Sequence, residues 1–480
     1  MKHDIHWVFA SARHVRSLRA VALLVSAAVL VGCASFTPDA GFGVVQRTTQ
    51  ERIGRDLHWA RTDADLDTIA QRVAQLLAKP LSADDAVQIA LLSNRGLQAG
   101  FQELGITEAD VVQAGRLPNP GFSFGRTSKG EEREIERGLH LNLARLVAMP
   151  LIGRMQARHF EQVKAQVLMS VLSLAADTRK AYFTAVAAEE TVRYMRQVKE
   201  VADASAELAR RMQQVGNFNK LQRAREQVFY SNAVLRLATA EQAQRATRER
   251  LVRLLGVWGL QTQFSLPARL PDLPPAPLER PDIEQLALAE RLDVQGARLA
   301  AQQTASNLGL TRRTRFINVL ELGVVRNSSN EAPTQRGWEV GFELPLFDWG
   351  GARVARAEAV YMQAVHRAAQ TAINARSEVR EAYTGYRSAY DIARHHRDEL
   401  VPLNQRIAEE NLLRYNGMLI GVFELLADAR TQIASVNAAI EALRDFWIAQ
   451  ADLDMALIGK PSLNAAAAAA EGGAAAVAPH

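Results

Sequence analysis

A single cysteine stands among 480 residues. That excludes a disulfide within the chain and any thiolate metal cluster. Beyond the first 32 residues no stretch holds ~18 uninterrupted apolar side chains, the length a membrane helix needs. A mature chain that crosses a bilayer must therefore do so with strands. Aromatic residues make up only 6% of a sequence that is 48% hydrophobic, which favours extended helices over a compact mixed core. Proline is absent from the whole tract Leu151–Leu266. A strong charge of one sign is absent too: the formal net charge is +5, and Lys2, Arg13, Arg16 and Arg19 against Asp4 supply most of it. The remainder gives no argument for nucleic-acid binding. Paired catalytic carboxylates, a nucleophile elbow and a phosphate-cradling glycine loop are all missing, so the sequence offers no enzyme and no cofactor site. His395 and His396 point about 100° apart on a helix and do not form a chelating i,i+4 pair, so no metal site is predicted.

What is present begins with residues 1–32. Basic residues precede the apolar run Ala20–Val31, which is too short for a comfortable membrane span and ends in Leu30-Val31-Gly32-Cys33. This resembles a bacterial lipoprotein signal peptide, and the resemblance implies cleavage before Cys33 and lipidation, palmitate included, of that residue. Ala34 rather than Asp follows, which by the same resemblance favours passage to the outer membrane.

Residues 33–80 read as a polar N-terminal extension. A first repeat covers 81–265: a helix started by Ser82, strands at about 119–127 and 138–147 joined by the charged loop 128–138, then a helical hairpin over about 151–258. Gly216-Asn217-Phe218-Asn219 splits that hairpin into two nearly equal arms. Its packing stripe is Val163, Val167, Val171 and Leu174 on one arm and Val228, Leu235, Leu251 and Leu254 on the other. The proline-rich stretch 266–281 is the midpoint. A second repeat covers 282–464, with strands at about 316–325 and 336–347 and a helical hairpin over about 352–458 turning at Tyr415-Asn416-Gly417-Met418. Pro402 is predicted to kink it. Leu97 with Val294, Leu141 with Val340 and Gly216 with Gly417 mark equivalent points. Residues 465–480 are an alanine-rich tail of the disordered type.

The strands alternate with period two. Phe122, Phe124, Leu139, Leu141, Leu143, Leu320, Leu322, Val324, Trp338, Val340, Phe342 and Leu344 fall on one apolar face, with Glu339 and Glu343 opposite. Four strands cannot close a barrel alone, and open edges cannot face lipid. The apolar face needs a second protein layer or several chains completing one barrel of the outer-membrane type.

At this point the chain resembles the TolC-like outer-membrane efflux proteins in their lipoprotein branch. The resemblance covers residues 81–460 and rests on the duplicated order of strand hairpin and helix hairpin, on PLFDWGGAR at Pro345–Arg353 and on RYNGMLIGVFELLADAR at 414–430. It implies a mainly α fold with a small membrane β-barrel portion: a homotrimer forming a 12-stranded barrel on a 12-helix tube. It implies a passive exit duct from the outer membrane of a Gram-negative cell into the periplasm, joined by a periplasmic adaptor to an inner-membrane pump. The apolar strand face then meets outer-membrane lipid, and Glu339 and Glu343 face the bore. Gly216, Asn219, Arg414, Tyr415, Gly417, Glu424 and Asp428 fall at the periplasmic tip and gate, where threefold symmetry sets Glu424 carboxylates close together. Ile420 departs from the Ser or Thr common in the family at that turn. A periplasmic adaptor or scaffold lipoprotein is the rival reading; it also uses long helical hairpins, but usually one hairpin between halves of compact β-domains.

Overall fold

The computed structural model describes residues 35–314, 320–342 and 346–461. Cys33, Leu344 and the tail 465–480 lie outside them. The helices are α1 Phe42–Ile53, α2 Asp63–Leu77, α3 Ala83–Ser93, α4 Arg95–Ala114, α5 Leu143–Gln214, α6 Lys220–Leu255, α7 Ile283–Glu290, α8 Leu292–Thr314, α9 Gly351–His395, α10 Val401–Asn416 and α11 Val422–Ile458. The strands are β1 Gly121–Lys129, β2 Glu132–Asn142, β3 Leu320–Ser329 and β4 Gln335–Phe342. The chain divides into two compact units. One comprises Met1–Phe42, Gln102–Lys164 and Ala297–Ala368; the other comprises Gly43–Phe101, Ala165–Gly296 and Ala369–His480.

The first unit holds a single antiparallel sheet in the order β1-β2-β3-β4. The β2–β3 ladder joins the two repeats, pairing Leu139 with Val324 and Leu141 with Leu322. The charged segment 128–138, expected as a loop, is mostly ladder. Arg and Glu alternate along β2, so each face of the ribbon receives one type, and only Gly130 and Glu131 are left to turn, Gly130 at φ +65°. β2 is also shorter at its other end than expected. Asn142 Oδ1 accepts a hydrogen bond from the Arg145 N–H at 2.8 Å, capping a helix that starts at Leu143. Leu143 is thus the first residue of α5 and not a strand residue, a correction to the predicted apolar set. The helix absorbs Pro150 inside its early turns.

The second unit is helical, and its arms are not equal. The tip turn ends α5 at Gln214, while α6 has only 36 residues. Gly256 stops α6 in the left-handed region at φ +70°, its N–H donating to Val252 O at 3.0 Å. A Cβ there would come within 2.8 Å of the backbone between α3 and α4, so only glycine fits. The stripe on α6 is corrected in its half nearer the tip turn: Val228 and Leu235 are exposed and Glu226 and Ala233 are buried there, while Leu251 is buried as expected. Glu226 and Ala233 stand seven residues apart on one helical face, and Val228 lies two residues on from Glu226, about 200° round the helix. Near Pro402 a single π-helical turn, His396–Leu400, precedes α10, which begins with Pro402 in its first turn where a missing N–H costs nothing.

Aromatic side chains tie this unit together. Phe183 stacks on Trp447 with centroids 5.2 Å apart, and Trp447 meets Phe446 edge-on at 5.1 Å. Phe446 in turn contacts Tyr386 and Tyr390. The proline-rich midpoint is strapped across them. Trp447 Nε1 donates to Pro271 O at 3.0 Å, Tyr390 Oη donates to Pro275 O at 2.9 Å, and Tyr386 Oη accepts from the Leu278 N–H at 2.8 Å. Few aromatics suffice because they converge on one girdle.

Candidate functional site

Direct cross-strand partners share a face of a sheet. The register therefore sorts the strand residues without ambiguity. One face carries the rows Phe122–Leu139–Val324–Trp338, Leu141–Leu322–Val340 and Leu320–Phe342, with Phe124 beyond them. Among the described residues nothing covers this face. Trp338 is 76% exposed, and Phe122, Phe124, Leu139, Leu322, Val324, Val340 and Phe342 are all exposed. Leu141 and Leu320 are half-buried. So large a continuous apolar surface is foreign to a soluble monomer. The opposite face carries Glu132, Glu134, Glu136, Glu321 and Glu339 with His140. Its glycines make room for the long side chains: a Cβ at Gly323 would meet Glu339 Oε1 at 2.6 Å. Among the described residues, the backbone N–H and C=O groups along the outer edges of β1 and β4 have no strand partner.

The two tip turns lie in the helical unit. At the first, Gly216 is left-handed at φ +83°, and Asn219 opens α6 with a capping box. Its Oδ1 accepts from the Gln222 N–H, and Gln222 Oε1 accepts from the Asn219 N–H, both at 2.8 Å. The second turn is built differently. Gly417 has an ordinary φ of −79°, and the left-handed position is Met418 at φ +59°; Gly421 precedes α11 with no side-chain cap. Arg414 pairs within its helix to Glu410 at 3.4 Å, Tyr415 is partly exposed, Glu424 is exposed, and Asp428 accepts from Asn411 Nδ2. The structure thus brings Asp428 into an inter-helix contact; across the turn Arg414 accepts at its carbonyl from the Leu419 N–H, and among the described residues its guanidinium has no partner there. Exposed apolar residues crowd both turns: Val215 and Leu221 at one, Leu413, Met418 and Leu419 at the other.

Sequence reasoning missed the polar lock above the turns. Glu226 is buried, accepts from Ser205 Oγ at 2.8 Å and pairs with Arg430 at 3.0 Å, linking α5, α6 and α11. Arg430 also lies 4.5 Å over the Phe229 ring. The signal was available: Glu226 sits seven residues before Ala233 on a packed face, where a carboxylate needs a partner. Among the described residues no group of His, Cys, Asp and Glu is arranged to hold a metal ion.

Similarity searches agree with this geometry. The outer membrane protein VceC of Vibrio cholerae superposes with a TM-score of 0.66 at 15% identity, over 79% of this chain and 96% of that one. The chain has the TolC-like fold. The open state of the MtrE outer membrane channel of Neisseria gonorrhoeae superposes with a TM-score of 0.65 at 18% identity, over 78% of this chain and 88% of that one. In sequence, the cobalt-zinc-cadmium resistance protein CzcC of Cupriavidus metallidurans is 26% identical over 281 residues, 56% of this chain. The chain spans 64% of the length of that relative. No protein-family model matches the sequence.

Proposed function

We propose that three copies close a twelve-stranded barrel in the outer membrane and form a passive exit duct of a tripartite export system. One observation carries the reading: a four-stranded sheet with, among the described residues, two unpaired edges and a largely exposed apolar face. Pairing β4 of one copy with β1 of the next satisfies both edges, and lipid covers the apolar rows. The adaptor-scaffold alternative calls for separate compact β-domains; the ladder that fuses strands of both repeats supports the duct instead. The exposed apolar residues at the two helical turns are the docking surface for the periplasmic adaptor, and the Glu226–Arg430 lock holds the closed tip. Cys33 anchors the chain by lipid. The test is reconstitution of the purified full chain in a planar bilayer. Trimeric, heat-modifiable migration and discrete conductance steps are expected; a monomer that is soluble without detergent and conducts nothing refutes the duct.

The acidic face favours one class of cargo. Five glutamates, a histidine and the turn-side Lys129 line the side turned from the lipid, and a relative similar in sequence is named for cobalt, zinc and cadmium resistance. Metal cations are the cargo this bore suits. They pass along the carboxylates without a chelating site to retain them.

A further inference from the structure

The sheet sorts its glutamates from its arginines, with Lys129 opposite Glu132 at the turn end of β1 as the one lysine, on the acidic face. Every acidic side chain of the four strands is on the face already described as acidic. On the apolar face the only charged residues are Arg126, Arg133, Arg137, Arg326 and Arg336. All five are exposed, and among the described residues none of their guanidiniums has a hydrogen-bond or ion-pair partner. Three of them are direct neighbours: Arg137 pairs in register with Arg326, and Arg326 with Arg336. With strands 4.7–4.9 Å apart, about 10 Å separates the backbones of the outer two. Like charges directly opposite one another destabilise a sheet, and this face holds no acid to relieve them.

The position of the row says what relieves them. Along β3 the apolar residues Leu320, Leu322 and Val324 come first and Arg326 follows, so the row lies ~20 Å along the strand from Leu320 at 3.3 Å per residue. At the roughly 35–45° tilt of such strands that is about 15 Å of height, so the row stands in the half of the ~25 Å lipid-facing band nearer the hairpin turns, from which long arginine side chains reach the headgroups. Trp338 stands one row before the arginines on the same face. The arginines lie toward the hairpin turns, away from the ends at which Asn142 and Phe342 lead on toward the helices. In the duct that end faces the outer leaflet.

We infer that Arg137, Arg326 and Arg336, flanked by Arg126 and Arg133, form a belt that binds the phosphate groups of an anionic lipid headgroup in the outer leaflet. A planar guanidinium fork matches a phosphate with two parallel hydrogen bonds, and one phosphate between two forks turns the repulsion along the row into attraction. The inference rests on the duct reading, because only there does this face meet lipid.

The experiment uses the full-length trimer in phosphatidylcholine vesicles with and without diphosphoryl lipid A. Thermal dissociation of the trimer and single-channel conductance are recorded separately. Lipid A is expected to raise the dissociation midpoint of the wild type, and the R137Q/R326Q/R336Q variant to lose that rise while its conductance persists. Should the triple variant not assemble, Arg336→Gln alone, on the edge strand, is expected to show a smaller rise than wild type. An unchanged rise in whichever variant assembles overturns the belt, as does a wild type indifferent to lipid A. Inorganic phosphate added to plain phosphatidylcholine vesicles is expected to do nothing; an equal rise there makes the ligand a free anion and overturns the lipid assignment. A wild type that shows no conductance refutes the duct independently of the lipid arms.

Discussion

Arg291 is completely buried, and its position is set by charge. Its guanidinium meets Asp293 at 2.7 Å and Glu378 at 2.6 Å and donates to Ala456 O at 3.3 Å, connecting α8, α9 and α11. Removing one partner of such a cluster leaves carboxylates without their counter-charge. Arg291→Ala is therefore expected to cost about 3–5 kcal/mol, read as a lower midpoint in chemical denaturation. Asp452 makes the opposite kind of prediction. Burial first, and Asp177 nearby, push its carboxyl above the ordinary 3.8, although Lys180 pairs with it at 2.9 Å. A carboxyl raised in the folded state takes up its proton before the unfolded chain does. Its contribution to stability is fully present below the unfolded pKa and is lost as pH rises through the folded one. Relative to wild type, Asp452→Asn should therefore gain in thermal midpoint as pH is raised from about 4 to neutrality. Met418 carries a side chain in the left-handed region at φ +59°, and Met418→Gly is expected to stabilise the second turn by about 1 kcal/mol.

At the scale of the element, strand alternation and glycine punctuation made the fold legible. Phe122, Leu139, Leu322 and Trp338 could be assigned to one face from spacing alone, because a period of two has no competing interpretation. Element ends were not legible, because they depend on single hydrogen bonds: Asn142 turning β2 into α5, or Gly256 halting α6 against the α3–α4 junction. The charged hairpin was misread for another reason. An Arg/Glu alternation looks like a loop by composition, yet it satisfies a ribbon whose two faces meet different surroundings. The polar lock escaped because pairing spans 204 residues between Glu226 and Arg430. Its consequence is testable. If the lock keeps the tip closed, Arg430→Ala leaves a buried carboxylate without its cation. The expected outcome is a clear rise in the open fraction of the reconstituted channel, with Asn219→Ala, which removes only a cap worth about 1 kcal/mol, changing it little.

For the whole molecule, the distribution of charge matters more than its total. A net charge of +5 suggests a mildly basic protein, yet the sheet places its five glutamates on one side and its five exposed arginines on the other. In the proposed trimeric barrel, Glu339 and Glu321 would be repeated threefold around the bore. Their potentials add in a space with low-dielectric walls. Such a bore is expected to draw cations in and hold anions back before any specific contact is made. The E321Q/E339Q variant removes six carboxylates from the trimer and leaves the apolar face, the edges and the arginines untouched. Its conductance steps should therefore persist while the ratio of potassium to chloride permeability, read from the reversal potential in a salt gradient, falls toward unity. The shift should shrink as ionic strength rises, because screening over a Debye length of about 10 Å at 0.1 M already reaches across much of such a bore. A reversal potential that does not move on substitution assigns selectivity to the helical tip, where Glu424 is exposed and Asp428 is held by Asn411.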